Sequence, residues 1–183
     1  MNRKQKLALL EDWYSREMTR LYNYIVFRVT YEEEADDIVA VVCDRSLKRL
    51  HQYDPKRGSF SAWMFGIARN VMNDYFRDLA RQADDVSLES LPAIQGRGDS
   101  PEERLIQAER FQQVILLFEH LSENEREVLG LRYGSDLKYQ EIAEVMGISS
   151  DNVGVLLHRA LGKLRDALNE REAKHELRTV SDF

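Results

Sequence analysis

The 183-residue sequence is poor in cysteine, proline and glycine, with one, three and nine respectively. A single cysteine, Cys43, excludes an internal disulfide, and the four histidines and this thiol show no zinc-ligand spacing. Cys43 lies in an apolar run and is expected as a buried, inert thiol. The scarcity of helix breakers leaves room for long helices. No apolar stretch approaches the roughly 20 residues that span a bilayer. The basic start Met1-Asn2-Arg3-Lys4-Gln5-Lys6-Leu7 is not followed by an apolar segment with a small-residue cleavage site. A cytoplasmic protein without membrane insertion is expected. A glycine-rich phosphate loop is also lacking. The one Glu-x-x-His, Glu172 to His175, sits in a polar tail, whereas a di-iron bundle needs two such pairs and further carboxylates. No enzyme activity, cofactor or metal is expected. Surplus positive charge is missing too: 26 Lys and Arg stand against 32 Asp and Glu, a net charge of −6. Free-standing DNA binders are usually basic, because neutralising phosphates supplies most of their affinity. A nucleic-acid role here therefore requires a partner that brings positive charge.

What is present is helical periodicity. Leu7, Leu10, Tyr14, Met18, Leu21, Ile25 and Val29 step by threes and fours, which predicts a helix from about Leu7 to Val29. Thr30-Tyr31-Glu32-Glu33 reads as a capping box opening a second helix to about Leu50. Its first turns hold Glu32 to Asp37, where the helix dipole favours acids. Ile38 to Val42 has strand propensity, but the cap and the Lys48-Arg49 ending favour helix. His51 to Gly58 is a turn punctuated by Pro55 and Gly58. A third helix follows from about Ser59 to Arg81, burying Phe60, Met64, Ile67, Val71 and Tyr75. Its other face carries Arg69, Asn73 and Arg77 four apart, with Asn70 beside them.

Residues 82–100 lose periodicity and read as a flexible linker; the stretch 81–104 carries three basic against six acidic residues. Ser100-Pro101-Glu102-Glu103 starts a helix to about Leu121. Ser122-Glu123-Asn124-Glu125 caps another that ends near Gly134. Two more span Tyr139–Met146 and Ser150 to about Glu172. The last two have helix-turn-helix spacing: small Ala143 where helices cross, Gly147 for a positive φ, and Val153 returning to the core beside Ile142, Val145, Ile148 and Leu157. An ordinary helical hairpin shares that spacing. In a DNA-binding unit the second helix enters the major groove.

Leu121-Ser122-Glu123-Asn124-Glu125-Arg126-Glu127-Val128-Leu129, Tyr139-Gln140-Glu141-Ile142-Ala143-Glu144 and Leu157-His158-Arg159-Ala160 resemble region 4 of extracytoplasmic-function (ECF) sigma factors. Glu34-Ala35-Asp36-Asp37-Ile38-Val39 and Phe60-Ser61-Ala62-Trp63-Met64-Phe65-Gly66-Ile67-Ala68-Arg69-Asn70 resemble region 2 of the same family. The resemblance covers nearly all of residues 10–170. It implies an all-α protein of two small helical domains joined by a flexible acidic linker. These are region 2 over residues 1–81, the linker over 82–100, region 4 over 101–172 and a polar tail over 173–183. It further implies a subunit of RNA polymerase that directs promoter recognition, DNA melting and transcription initiation.

On that resemblance, region 2 docks on the clamp of core RNA polymerase through Glu34, Asp36 and Asp37, with apolar contact from Ile38, Val39 and Val42. The minus-ten element meets Lys56, Arg57, Ser59, Trp63, Arg69, Asn70, Asn73 and Arg77. Lys56 and Arg57 hold phosphate and the polar face captures unstacked bases. Trp63 fits a core position as well as a base-stacking one. Region 4 docks on the flap and reads the minus-thirty-five element through Ser150, Asn152, His158, Arg159 and Lys163. An anti-sigma partner is implied by the family alone. The acidic linker suits a basic nucleic-acid channel, or equally a solvated tether.

The sequence departs from the family pattern in the recognition helix. Val153-Gly154-Val155-Leu156-Leu157 stands where Lys and Arg are frequent, Gly154 costs roughly 1 kcal/mol of helix propensity, and Lys138 replaces the usual Ser cap. Promoter choice is therefore expected to lean on the minus-ten bases. Two rivals remain at this point: a stand-alone helix-turn-helix regulator that binds duplex DNA as a dimer, and a sigma-like adaptor with weak upstream contact.

Overall fold

The computed structural model describes residues 1–29, 32–85 and 120–181. Among these residues the regular structure is helical and no strand occurs. Helix α1 spans Arg3–Val26, α2 spans Glu32–Arg49, and a 3-10 turn covers Leu50–Gln52. Helix α3 spans Phe60–Asp85. Helix α4, Glu123–Leu129, continues as a π-helical turn over Gly130–Gly134. Helices α5, Tyr139–Met146, and α6, Ser150–Ser181, follow. The Thr30-Tyr31 half of the second helix's expected cap, most of the linker and the helix expected after Ser100 lie outside the described residues.

Helix α1 begins four residues before the expected Leu7. Asn2 Oδ1 accepts from Gln5 N–H at 2.9 Å and Gln5 Oε1 accepts from Asn2 N–H at 2.9 Å, a reciprocal cap that satisfies two backbone donors. The helix ends without Gly or Pro, the N–H groups of Phe27 and Val29 folding back to the Asn23 and Ile25 carbonyls. Lys6 ties the start of α1 to the loop after α2, donating to the His51 and Tyr53 carbonyls at 2.9 and 2.5 Å.

The described residues fall into two compact units, one of 1–29, 32–85 and 130–150, the other of 120–129 and 151–181. Residues 130–150, expected with the C-terminal domain, thus pack in this structure with the N-terminal helices. The first unit's core comes from Leu10, Trp13, Leu21, Tyr24 and Ile25 of α1, Ala35, Ile38 and Val42 of α2, and Phe60, Met64, Phe65, Ile67, Ala68, Val71 and Met72 of α3. Trp13 and Tyr24 join the expected stripe because each follows a buried stripe residue, Leu10 and Leu21, by three and so shares its face. Phe65 receives both edge-on, with ring centroids 5.9 Å from Trp13 and 6.0 Å from Tyr24. Tyr14 hydrogen-bonds Ser46 at 2.6 Å, so Ser46 is buried with its polar atom satisfied. Cys43 is only half-buried, less than expected, because its helix turns Val42 inward instead. Tyr75 also stays half-exposed, while Phe65 and Met72 take core places. Helix α3 runs to Asp85, beyond the expected end near Arg81, and α6 keeps a helical backbone past Glu172 to Ser181.

Segment 130–150 contributes Leu131, Leu137 and Ile142, all fully buried. Gly134 lies against α1 so closely that a Cβ there would stand 3.0 Å from Asn23 O, Tyr24 Cα and Phe27 Cβ. A side chain there would force α1 to give by a few tenths of an ångström.

In the second unit, Ser122 and Glu125 form the expected box. Ser122 N–H donates to Glu125 Oε2 at 2.7 Å and Glu125 N–H to Ser122 Oγ at 3.4 Å. Glu125 is buried and Lys163 of α6 donates to the same Oε2 at 2.7 Å. Burial pushes this carboxyl up, but the Lys163 ammonium and the Ser122 donors outweigh it and hold it below the usual range. A lowered folded value means stability that is present above the unfolded carboxyl value and is lost as pH falls through the folded one. Lys163→Met should cost about 1–3 kcal/mol in urea unfolding at pH 7, because it leaves a buried carboxylate short of a donor. That cost should shrink as pH falls through the lowered folded value, where the wild-type carboxyl also becomes protonated. A cost that stays constant from pH 7 to pH 3 would contradict the pairing.

Candidate nucleic-acid and partner interface

Three surfaces carry the residues singled out by sequence. The first is the α2–α3 groove. Glu34, Asp37, Ile38, Val41 and Arg45 of α2 face Val71, Asp74, Tyr75 and Asp78 of α3 across an open cavity of about 320 Å³. Arg45 bonds Asp74 at 2.5 Å and Arg77 reaches the other Asp74 oxygen at 3.2 Å. The Arg45 hydrogen bond is the main reason the Asp74 carboxyl sits below its usual range, against a smaller opposing push from burial. Asp36 and Asp37 are exposed, Glu34 and Val39 half-buried. Ile38 and Val42 are 5% and 0% exposed. The phase of α2 turns both, expected in an outward docking face, into the core, and the exposed apolar side chains of α2 are Val41 and Leu47.

The second surface is the start of α3 and the loop before it. Lys56 N–H bonds Asp54 Oδ1 at 3.0 Å and Arg57 N–H the Asp54 carbonyl at 3.0 Å, which forms a tight turn and leaves both basic side chains exposed. Gly58 closes the turn at φ +152°, where a side chain would be strained. Ser59 caps α3, its Oγ accepting from Ala62 N–H at 3.1 Å. The first turn of α3 contains no acidic residue. Trp63 is half-buried in an aromatic group, its ring centroid 5.6 Å from Tyr53 and 5.3 Å from Phe60. It is thus both packed and partly presented. Along α3, Arg69 and Asn73 are half-buried and Asn70 and Arg77 exposed. At 100° per residue the four fall within about a third of a turn, so they share one face.

One feature of this surface escaped the sequence. Glu144 of α5 accepts from Ser59 Oγ at 2.8 Å and from Ser59 N–H at 3.3 Å. No periodicity links residues 85 apart. The Arg45–Asp74 ion pair also escaped, since it joins separate helices.

The third surface is the start of α6. Met146 ends α5 and Gly147 follows in the left-handed conformation, φ 68° and ψ 34°, as the helix-turn-helix spacing requires. Asn152, His158 and Arg159 are exposed and Ser150 half-buried. Asp151 lies in the first turn. Lys163, expected at DNA, donates to the buried Glu125 carboxylate at 2.7 Å. Lys138 caps α5 without a side-chain bond, its N–H donating to Glu141 Oε2 at 2.7 Å. Among the described residues there is no cluster of metal-ligating side chains and no helix long and apolar enough to cross a membrane.

Two family models match the chain: Sigma-70 region 2 over residues 13–82 and Sigma-70, region 4 over residues 111–164. The RNA polymerase sigma factor YlaC of Bacillus subtilis is 29% identical over 174 residues, 92% of this chain and 96% of that protein. The ECF RNA polymerase sigma factor ShbA of Streptomyces griseus is 32% identical over 132 residues, 71% of this chain and 69% of that protein. The sigma factor RpoE of Bartonella quintana, solved with the anti-sigma factor NepR, shares the fold at a TM-score of 0.61 and 18% identity, with 87% of this chain and 96% of that one covered. Both regions occur in order on a scaffold whose regular structure is helical among the described residues, and these two relatives match along most of their length: the chain belongs to the ECF sigma factors, the subunits that direct RNA polymerase to initiate transcription.

Proposed function

We propose that this sigma factor selects and opens promoters chiefly through the start and polar face of α3, and leans little on its recognition helix. The observation that carries this reading is the contrast between two helix starts. Helix α3 has Lys56 and Arg57 just before it and no acid in its first turn, whereas α6 has Asp151 in its first turn and no basic residue before His158. A helix N-terminus favours anions, and basic neighbours add to that field while an aspartate opposes it. Lys56, Arg57 and Ser59 then hold the backbone of the minus-ten element. Arg69, Asn70, Asn73 and Arg77 bond its unstacked bases, with Trp63 at the edge. Asn152 is left as the base-reading side chain upstream, with Ser150, His158 and Arg159 at phosphates.

Residues 1–81 act as region 2, 82–100 as the linker, 101–172 as region 4 and 173–183 as the tail. Glu34, Asp36 and Asp37 meet basic side chains on the polymerase clamp, with Val39, Val41 and Leu47 giving apolar contact. Region 4 meets the flap. The protein works in the cytoplasm as a binding subunit and catalyses nothing itself. An anti-sigma factor is a suitable antagonist, as the complex of the Bartonella relative illustrates.

Gel shift and run-off transcription on the DNA upstream of this protein's own coding sequence test the reading together. The free chain should bind duplex poorly at physiological salt, and core polymerase should start transcripts only when the chain is added. Nanomolar specific binding by the free chain would support an independent regulator instead. Replacing Asp36→Lys with Asp37→Lys should weaken core binding by about tenfold or more, since reversal adds repulsion to lost attraction. Both positions are exposed, so unfolding midpoints should stay within about 0.5 kcal/mol of wild type. Unchanged affinity in a direct titration with core polymerase would remove these residues from the docking face.

A further inference from the structure

We propose that Lys6 is a positioning residue for promoter opening: its ammonium fixes the point where the 54–59 loop leaves the helical frame, and through that loop the register of the melted strand. The proposal rests on the reading of that loop as the DNA contact. Lys6 Nζ donates to the His51 carbonyl at 2.9 Å and to the Tyr53 carbonyl at 2.5 Å, across 45 and 47 residues of chain. The 3-10 turn Leu50–Gln52 ends there, and Tyr53 leaves it in an extended conformation, φ −63° and ψ 127°. Carbonyls at such an end have no partner within the helix and form the negative end of its dipole. Lys6 supplies both the missing donor and the opposite charge.

Lys6 is itself held in place. Its N–H donates to the Asn2 carbonyl at 3.1 Å, closing the turn that the Asn2–Gln5 box begins. Arg3, Lys4 and Lys6 stand at the start of α1, whose first turn contains no acid. The dipole of α1 disfavours cations at that end. For Lys6 the two carbonyls offset this cost, and Lys6 is half-buried where Arg3 and Lys4 are exposed.

Tyr53 carries the hold onward. It is buried, with its ring centroid 4.8 Å from Phe60 and 5.6 Å from Trp63, and its hydroxyl donates to the Gly58 carbonyl at 3.4 Å. One residue therefore grips both ends of the loop: its backbone begins the loop, and its side chain reaches Gly58 and the first turn of α3. Lys56 and Arg57 lie between. Phosphate contacts set the register in which bases meet the side chains that read them. A binding constellation must be held to within about 0.5 Å, so a loop that slips at Tyr53 moves the strand out of line with Arg69, Asn70 and Asn73. The Lys6 bonds lie at the edge of the fold, where water competes for the same carbonyls, so their loss leaves the core intact.

Open-complex yield with holoenzyme tests this on the DNA upstream of this protein's own coding sequence, and on the same DNA with each minus-ten position replaced in turn by the other bases. The quantity read is the ratio of yields between the best and the worst base at the most selective position. Lys6→Met should lower that ratio about fivefold or more, while core affinity and the urea midpoint stay near wild type. Lys6→Arg keeps a charged donor and should restore most of the ratio; no restoration would assign the effect to the lysine stem and overturn the proposal. An unchanged ratio in Lys6→Met would overturn it too, whether the yield is kept or falls evenly on every template, since an even fall marks a lost phosphate contact or lost stability. Lys56→Ala with Arg57→Ala tests the reading beneath. If that pair opens DNA as wild type does, the loop is not the DNA contact and that reading fails, whatever Lys6 does.

Discussion

The packing of Phe65 between Trp13 and Tyr24 is the constraint on which the first unit depends. Phe65 and Tyr24 are fully enclosed and Trp13 nearly so, and each such side chain contributes roughly 1.5–3 kcal/mol by leaving water. The two edge-on contacts fix α3 against α1 in rotation as well as distance. Once that rotation is fixed, Phe60, Met64, Ile67 and Val71 point inward, and Asn70 and Arg77 can only point out. Tyr24 serves a second purpose. Its Cα and ring also form the floor beneath Gly134 and Gly130. The cluster that orients the proposed DNA face is therefore also the seat on which Gly130 and Gly134 pack.

Electrostatics then assign tasks that the core leaves open. With a net charge of −6, the chain has few cations to give to DNA. Several are bound into the structure: Arg45 at Asp74, Arg20 at the Ser135 and Asp136 carbonyls, and Lys163 at Glu125. Exposed pairs such as Lys48 with Asp44 contribute little to stability. Lys56 and Arg57 differ because the Asp54 turn sets them, exposed, just ahead of a long helix. A chain built in this way needs the polymerase to supply the rest of the positive field.

Much of this was legible in the sequence because its signals are local. The Tyr139–Met146 helix, Gly147 in the turn and the Ser122–Glu125 box were found where spacing put them. The Asn2–Gln5 box was equally legible, yet the apolar stripe drew the start of α1 to Leu7. What failed was phase and distance. Ile38 and Val42 are apolar and beside acids, so sequence could not tell an inward face from a docking face; only α3 packed against α2 decides it. Lys163 looked like a DNA contact because its partner, Glu125, lies 38 residues earlier and is buried. The Glu144–Ser59 contact left no pattern at all.

The central claim is that promoter opening is governed at α3 and not at α6. Permanganate footprinting of the melted strand, with holoenzyme carrying Asn70→Ala or Asn152→Ala, tests it most directly. Loss of a base-reading amide costs about 1–3 kcal/mol where it is used. The account predicts that Asn70→Ala lowers reactivity of the melted thymines about fivefold or more, while Asn152→Ala leaves it near wild type. Melting abolished by Asn152→Ala and preserved in Asn70→Ala would contradict it.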